Sequence, residues 1–349
     1  MKWWVAGLLA LLLAACGRQA PVAQEAYVFG TRVEIVVWGA PEAAAHAALG
    51  EVLREFDRLH RTYHAWQPSE LTALNEALAA GKPHEVSAEL AGLIRTAQRL
   101  SAQGEHLFDP GIGRLVALWG FHADEFKPAL PDAEALKKLV AGRPSIGKLK
   151  LEDRRVSSAD FAVALDFGGY LKGVALDRAA AILKQRGIND ALINIGGNVL
   201  AMGSKGGSQG GTPWRVGIQH PRAAQAGGAP LATLELRDGE AIGTSGDYQR
   251  YFEIGGRRYS HLLDPRTGEP AGGTQAVTVL IPPGPEAGML SDVLSKPLFV
   301  AGDDWPRLAK QIGATQVLRV DAAGRLSATA ALQARLAFPE PRPPLEVMP

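Results

Sequence analysis

A single cysteine, Cys16, limits what this chain of 349 residues can fold into. No disulfide can form within the chain, so a buried core must hold the fold together. The length suffices for one large domain or two small ones. The formal net charge is +1 and there is no basic stripe, which excludes the electrostatic footprint of a nucleic-acid-binding protein.

The N-terminus has the pattern of an export signal. Lys2 precedes an apolar run from Trp3 to Ala15, which is shorter than the roughly 20 apolar residues of a membrane-spanning helix. A charged start, a short apolar core and a small-residue exit are typical of secretory signals. The exit reads Leu-Ala-Ala-Cys16, the pattern of a bacterial lipobox. An ordinary signal peptide with a chance cysteine is the alternative.

The domain boundaries follow from this interpretation. We expect a signal peptide over residues 1–15, lipidation of Cys16 and a flexible tether over residues 16–26. The folded domain is expected over residues 27–338, and the proline-rich residues 339–349 are expected to form a disordered tail. The protein would lie on the periplasmic side of a bacterial membrane. The inner membrane is favoured, although Gly17 does not decide between the two membranes.

Helix and strand patterns alternate irregularly along the rest of the chain. A helix with one apolar face follows Pro41, and another runs from about Ser87 to Leu100. Strands are predicted at Thr31 to Val37, Phe161 to Leu165, Ala191 to Ile195, Tyr251 to Ile254, Arg257 to Leu263, Gln275 to Ile281, Val317 to Val320 and Leu326 to Ala328. Without a strict βαβ rhythm, the sequence predicts an α+β fold rather than a doubly wound sheet.

A glycine-rich loop from Asp166 to Gly173 precedes a predicted helix. Glycines ahead of a helix N-terminus leave backbone N–H groups free to face a phosphate, and Lys172 adds positive charge. The spacing is neither a Walker loop nor a Rossmann fingerprint, so an ordinary turn is the alternative.

Two further pairs of residues are candidates for chemistry. His261 with Asp264 could be a general base with its orienting partner, or a hairpin end closed by an Asp-Pro turn. Asp292 and Lys296 lie four apart on a predicted helix, where they could form a surface ion pair or a cation site. Pro297 predicts that this helix ends or kinks at Lys296.

Eight groups of short motifs, taken in order, resemble the ApbE family of periplasmic FAD:protein FMN transferases. They are Phe29-Gly-Thr31, Ser69-Glu-Leu71 with Asn75, Phe108-Asp-Pro110 with Trp119-Gly-Phe121, Asp166 to Gly173 with Asp177, Asn194-Ile-Gly-Gly197, Thr244-Ser-Gly-Asp-Tyr248, His261 to Gly268, and Ser291-Asp-Val-Leu-Ser295. Each motif alone is weak, whereas the ordered set is specific. It extends from about Val28 to about Gly302 and implies a mixed α/β domain of the ApbE, T-fold-like type.

The resemblance implies transfer of the FMN half of FAD to a threonine or serine hydroxyl of a partner protein, with release of AMP. The implied acceptor is a subunit of a membrane redox complex. An FAD-binding lipoprotein without transferase activity is the alternative. The residues implied to contact FAD are Phe29, Tyr63, Leu107, Phe108, Asp109, Asp166, Lys172 and His261. Those implied in catalysis are His261 and Asp264, and those implied at a magnesium ion are the Gly169 carbonyl, Asp292 and Lys296.

Three positions depart from the family pattern. The segment from Tyr63 to Trp66 is two residues out of step, so either aromatic end could fill the flavin-contacting place. Phe29 replaces a methionine. Lys296 replaces the metal-binding threonine, and a protonated lysine cannot ligate Mg²⁺. The sequence therefore predicts that Mg²⁺ binds weakly or is partly replaced by the ammonium of Lys296.

Overall fold

The computed structural model describes residues 20–123, 127–207, 211–222 and 228–348. The predicted signal peptide and Cys16 lie outside these ranges. The helices are α1 (Glu42–Thr62), α2 (Glu70–Ala79), α3 (Ala88–Gln103), α4 (Gly113–Leu118), α5 (Ala133–Gly142), α6 (Leu171–Gln185), α7 (Ala287–Ala301), α8 (Trp305–Ile312) and α9 (Ala330–Gln333). None of these helices has both the length and the apolar content to cross a bilayer.

The strands form one large sheet and three small ones. They are β1 (Val22–Val28), β2 (Thr31–Trp38), β3 (His84–Glu85), β4 (Leu149–Glu152), β5 (Arg155–Ser158), β6 (Asp190–Ile195), β7 (Asn198–Met202), β8 (Trp214–Ile218), β9 (Ala232–Leu236), β10 (Ala241–Gly246), β11 (Tyr251–Ile254), β12 (Arg257–Ser260), β13 (Thr274–Ile281), β14 (Val317–Asp321), β15 (Leu326–Thr329) and β16 (Leu345–Met348). The large sheet has the order β1-β2-β6-β7-β10-β13-β14-β15-β16. Its neighbours are antiparallel except β15 and β16. This arrangement confirms the predicted α+β class.

The core lies on both faces of the large sheet. On one face, Ile35 of β2 belongs to the same buried cluster as Phe56 of α1, Leu176 of α6 and Phe299 of α7. On the other face, the β8–β9 hairpin contributes Trp214 to a second cluster. Every residue of the central strand β13 is buried, because both sides of the strand are covered.

Helices α6 and α7 approach each other unusually closely, and this contact positions the candidate site. A Cβ atom added to Gly173 would lie 2.6 Å from Met289 Cα and 2.7 Å from the Gly288 carbonyl oxygen. Asp177 of α6 accepts the N–H groups of Gly288 and Met289, at 2.8 and 2.9 Å, and so caps the start of α7. Burial raises the pKa of Asp177 to about 6.

The predicted strand from Phe161 to Leu165 is wrong. This segment is irregular, with an isolated bridge from Ala164 to Ile112. Its backbone forms hydrogen bonds with a loop and a side chain instead of with a neighbouring strand. Asn75 Nδ2 donates to the Leu165 carbonyl at 2.9 Å, and Asn75 Oδ1 accepts the Leu165 N–H at 2.7 Å. The side chain of Asn75 thereby satisfies the backbone groups of Leu165 that a neighbouring strand would otherwise pair.

Three boundaries also need correction. Strand β1 begins at Val22, so part of the expected tether belongs to the sheet. Disorder of the tail is wrong for Leu345–Met348, because β16 pairs with β15. Helix α7 does not end at Lys296 but continues through Pro297 to Ala301. It is buried along most of its length, and that packing offsets a proline cost of about 3 kcal/mol.

Candidate active site

The loop before α6 forms a tight turn closed by its own side chains. Asp166 Oδ1 accepts the Gly168 N–H at 2.7 Å, and Lys172 Nζ donates to the Gly168 carbonyl at 3.0 Å. The N–H groups of Tyr170 and Gly173 also have partners within the protein. The expected row of free N–H groups is therefore wrong at these positions, and positive charge at the site comes mainly from side chains.

Asp292 is the centre of an ion-pair cluster. Its side chain is 2% exposed, and its Oδ1 accepts from Lys296 Nζ at 2.6 Å. Lys172 Nζ lies 3.9 Å from the same oxygen, and the Gly173 N–H donates to Oδ2 at 3.0 Å. Burial alone would raise the pKa of Asp292, but the two lysines lower it below its usual value. Burial lowers the pKa of Lys296, against the opposing effect of Asp292.

The three residues predicted at a magnesium ion lie together but do not fit that ion. A Cβ atom added to Gly169 would lie 2.7 Å from Lys296 Cε, so the lysine stem covers this glycine. Mg²⁺ requires oxygen ligands in near-octahedral geometry. Here an ammonium already holds the near oxygen of the carboxylate. Within the described part of the chain, no group of three or more His, Cys, Asp or Glu residues could hold a metal.

His261 is held in one tautomer by a backbone carbonyl. Its Nδ1 lies 3.1 Å from the Arg250 carbonyl oxygen, which can only accept a hydrogen bond. Nδ1 must then carry the proton, and the neutral ring has its lone pair at Nε2. Burial and the nearby charges of Arg250, Lys172 and Lys296 together lower the pKa of His261 to about 3, although the hydrogen bond to the Arg250 carbonyl acts in the opposite direction. The ring is therefore neutral and can accept a proton.

Asp264 does not orient this histidine as expected. Its carboxylate accepts from Arg266 Nη2 at 2.7 Å and from the Arg266 backbone N–H at 2.9 Å. The Gly268 N–H donates to the Asp264 carbonyl at 2.7 Å, which closes the turn. The orienting contact of His261 comes from Arg250 instead, and Asp264 shapes the turn.

Arg250 is a site residue that the sequence analysis missed. Its Nη2 donates to the carbonyls of Phe121 and Ala123 at 2.9 and 3.2 Å. Its positive charge lowers the pKa of both Asp166 and His261. Arg250 follows the motif Thr244 to Tyr248 by two residues, which is the one sequence signal that could have drawn attention to it.

The segment from Tyr63 to Trp66 lies near Asp166, and its structure shows which of these two aromatic residues faces the candidate site. Burial raises the pKa of Asp166, and the nearby Trp66 side chain acts against this increase. Tyr63 is buried in the core of the protein. Trp66 therefore faces the candidate site and Tyr63 does not. The rings of His64, His60 and Phe29 extend this aromatic segment. The centroids of Phe29 and His60 are 5.7 Å apart, and those of His60 and His64 are 5.0 Å apart.

The segment Leu107, Phe108 and Asp109 lies in the core. Both apolar side chains are buried, and Phe108 packs on Tyr170 with ring centroids 6.5 Å apart. Asp109 accepts the N–H groups of Gly111 and Ile146, both at 2.8 Å, and also the Ser145 hydroxyl. The predicted FAD contact at Asp109 is thus a buried carboxylate whose oxygens have partners within the protein.

Two of the sequence motifs meet behind His261. Trp119 Nε1 donates to the Gly268 carbonyl at 2.7 Å, and the Phe121 ring lies 6.4 Å from the His261 ring. Phe252 and Tyr259 of the β11–β12 hairpin stack against this pair. These contacts fix the hairpin that presents His261.

A groove of about 820 Å³ opens elsewhere, between α3, α6 and the start of α7. Its lining includes the acidic residues Glu89, Asp177 and Glu286 and none of the residues predicted to contact FAD. Arg178 also lines the groove, but the three acidic groups outnumber it and disfavour the pyrophosphate of FAD. The site around Asp292 is therefore the better candidate.

Comparison with known proteins identifies the family. A sequence profile described as the ApbE family matches residues 29–318. The chain belongs to the ApbE family. This confirms the resemblance seen in the motifs, and the matched range contains every ApbE motif quoted above.

Several known proteins are similar over most of this chain. The FAD:protein FMN transferase of Rhodobacter capsulatus is 43% identical over 326 residues, which cover 92% of this chain and 60% of that protein. The FAD:protein FMN transferase of Klebsiella pneumoniae (strain 342) is 32% identical, with 83% and 81% covered. The solved structure of the ApbE protein of Thermotoga maritima superposes with a TM-score of 0.80 at 28% identity, with 90% and 99% covered. The ApbE fold is thereby confirmed.

Proposed function

We propose that this protein transfers the FMN half of FAD to a threonine or serine hydroxyl of an acceptor protein and releases AMP. The observation that supports it best is the contact of His261 Nδ1 with the Arg250 carbonyl, which leaves Nε2 free to accept a proton. Lys172, Arg250 and Lys296 supply positive charge near this ring and lower its pKa. A proton acceptor next to positive charge suits attack of a hydroxyl on a pyrophosphate. The names of the relatives favour this reading over an FAD-binding lipoprotein that lacks transferase activity.

His261 Nε2 takes the proton of the acceptor hydroxyl in this proposal. The hydroxyl oxygen bonds to the phosphorus on the FMN side. The bond from that phosphorus to the bridging oxygen breaks, and AMP leaves with the bridging oxygen. Lys172 and Arg250 offset the negative charge that develops on the phosphate oxygens. The Arg250 carbonyl keeps the lone pair of His261 on Nε2 throughout.

The flavin ring would lie along the aromatic segment. Phe29, His60, His64 and Trp66 offer ring faces and edges there, and Trp66 joins this segment to Asp166. Stacking on aromatic rings suits a flat heterocycle. Gly169, Asp292 and Lys296 make a poor magnesium site, so the proposal assigns Mg²⁺ no required part in transfer.

The proposed location is the periplasmic face of the inner membrane, with a lipid on Cys16 as anchor. The lipobox pattern and the short apolar run support it. A subunit of a membrane redox complex is the proposed acceptor, because such a subunit lies at the same surface.

The test is direct. Purified protein is incubated with FAD and detergent-solubilised membrane proteins of the source bacterium, and denaturing gels are read for flavin fluorescence. A fluorescent band that survives denaturation, together with AMP in the supernatant, is expected. His46→Gln, at an exposed position of α1, should behave like the unchanged protein. FAD binding without a band or AMP would support the binding-protein alternative.

A further inference from the structure

We infer that Lys296 substitutes for a divalent cation, so that this chain binds and uses FAD without Mg²⁺. The inference rests on the proposed function and deepens it. It comes from a disagreement between the residues at the site and the metal that the family resemblance implies.

The ammonium of Lys296 already occupies the position where a cation would bind Asp292. Its Nζ lies 2.6 Å from Oδ1 and 2.7 Å from the carbonyl oxygen of Asp292. The ammonium therefore forms hydrogen bonds with two oxygens of the same residue. A cation brought to the same oxygens would have to displace it, at a position where Lys172 lies only 3.9 Å from Oδ1.

The lysine is held rigidly in this position. Its stem packs over Gly169, where no side chain competes for the space. Helix α7 continues through Pro297, so Lys296 stays one helical turn from Asp292. The Ser295 hydroxyl also donates to the Asp292 carbonyl, at 2.9 Å. An ammonium fixed in this way loses little freedom when a substrate anion arrives.

The hydrogen-bonding capacity of Lys296 suits a phosphate. An ammonium has three donors, and the contacts between described residues use two of them, both on Asp292. The third can reach a pyrophosphate oxygen. Counted together, Lys172, Lys296 and Asp292 have a net charge of +1, which favours an anion over a metal ion at this place.

The first experiment measures metal binding without FAD. Mn²⁺, a paramagnetic stand-in for Mg²⁺, is titrated into the protein while the electron paramagnetic resonance signal of free Mn²⁺ is followed. The unchanged protein should bind no Mn²⁺ at this site. Lys296→Thr removes the ammonium and supplies a hydroxyl, so its affinity should rise by about tenfold or more. Lys310→Thr, on α8, is the matched control and should match the unchanged protein.

The second experiment measures FAD affinity and FMN transfer with EDTA and with Mg²⁺. For the unchanged protein, both should differ by less than about twofold between these conditions. Lys296→Met keeps the stem without the charge and should lose FAD affinity under both conditions. Lys296→Thr should regain it only with Mg²⁺.

The outcomes separate this inference from the proposed function. Transfer that stops in EDTA and saturates with Mg²⁺, with Mn²⁺ bound by the unchanged protein, would overturn the inference and leave the transferase standing. An inert natural chain with an active Lys296→Thr variant would also overturn it, because the lysine would then block the site. Absence of transfer from every variant under every condition would refute the proposed function itself.

Discussion

At the scale of single residues, the backbone carbonyl of Arg250 decides what His261 can do. It fixes the proton on Nδ1 and leaves Nε2 to accept one. We expect His261→Gln to lower the transfer rate by about 10²–10⁴-fold, the usual contribution of a general base. FAD affinity should change little, because His261 acts on the acceptor hydroxyl. Single-turnover rates and FAD titrations measure the two separately, and a parallel loss of both would make His261 a binding residue.

The same histidine predicts the response to acid. Burial lowers its pKa to about 3, so kcat/KM for FAD should stay flat from pH 8 to 5 instead of falling near the usual histidine pKa of about 6.5. A lowered folded-state pKa contributes stability that is present above the unfolded value and lost as the pH falls toward the folded value. His261→Gln should therefore lose less stability than the natural protein between pH 7 and 4 in urea titrations. Equal losses would contradict the lowered pKa of His261.

Lys172 distinguishes the pyrophosphate from the flavin ring. Its ammonium lies at the start of α6, 3.9 Å from Asp292 Oδ1, and its charge can pair with the pyrophosphate but not with an uncharged flavin ring. Lys172→Ala should weaken FAD by about 10–100-fold, the range of a lost charge-assisted hydrogen bond, and riboflavin much less. Fluorescence titrations with both ligands measure this, with the exposed Lys150→Ala as control. Equal losses for both ligands would remove Lys172 from the phosphate site.

Residue-level prediction from the sequence succeeded where spacing along a helix decides the contact. The pairing of Asp292 with Lys296 is of this kind. Prediction failed for residues at and just beyond the end of a helix. Tyr63 is the C-terminal cap of α1 and Trp66 follows in irregular backbone, so helical periodicity cannot tell which of them faces the site.

At the scale of elements, Gly173 sets the distance between α6 and α7. An added Cβ would meet Met289 Cα at 2.6 Å, which is backbone and cannot rotate away. Gly173→Ala should destabilise the fold by about 1–3 kcal/mol through overpacking, which outweighs a helix-propensity gain of up to about 1 kcal/mol. It should also weaken FAD, because the Gly173 N–H holds Asp292.

The control is Gly92→Ala in the interior of α3, where an added Cβ meets nothing within 4 Å. That change should be neutral or stabilising, by up to about 1 kcal/mol. Thermal unfolding and FAD titration of both variants make the comparison. Equal stability of the two variants would mean that α6 and α7 can separate at no cost.

Helices and strands could be predicted where the spacing of apolar residues in the sequence matches the face that the fold buries. Helix α1 and the β11–β12 hairpin are examples. The segment from Phe161 to Leu165 had strand-like composition, but Asn75 and a loop supply its hydrogen bonds. Pro297 predicted a helix end, yet burial of α7 on nearly all sides outweighs that local preference. Local patterns cannot report either kind of long-range contact.

At the scale of the whole molecule, the order of strands in the large sheet could not be predicted from the sequence. Strand β16 joins β15 in parallel from a proline-rich segment whose composition indicated disorder. Strand β2 pairs with β6, across more than 150 residues of sequence. The strand order determines which residues share each of the two core clusters on the large sheet. The motifs therefore identify candidate site residues, but they do not show how the fold brings these residues together.

The proposed anchor ties this whole assembly to a surface. Six residue steps separate Cys16 from Val22, the start of edge strand β1, so a lipid on Cys16 would keep that edge within about 20 Å of the bilayer. Cys16→Ser should release the protein into the soluble periplasmic fraction or leave the signal uncleaved, as fractionation and intact mass would report. Transfer by the released protein should be unchanged in detergent-solubilised assays, because the site is built from α6, α7 and the hairpin around His261. It should fall in intact cells, where an acceptor fixed in the membrane would no longer be held close to the enzyme. An unchanged membrane fraction with a normal mature mass would rule out the anchor.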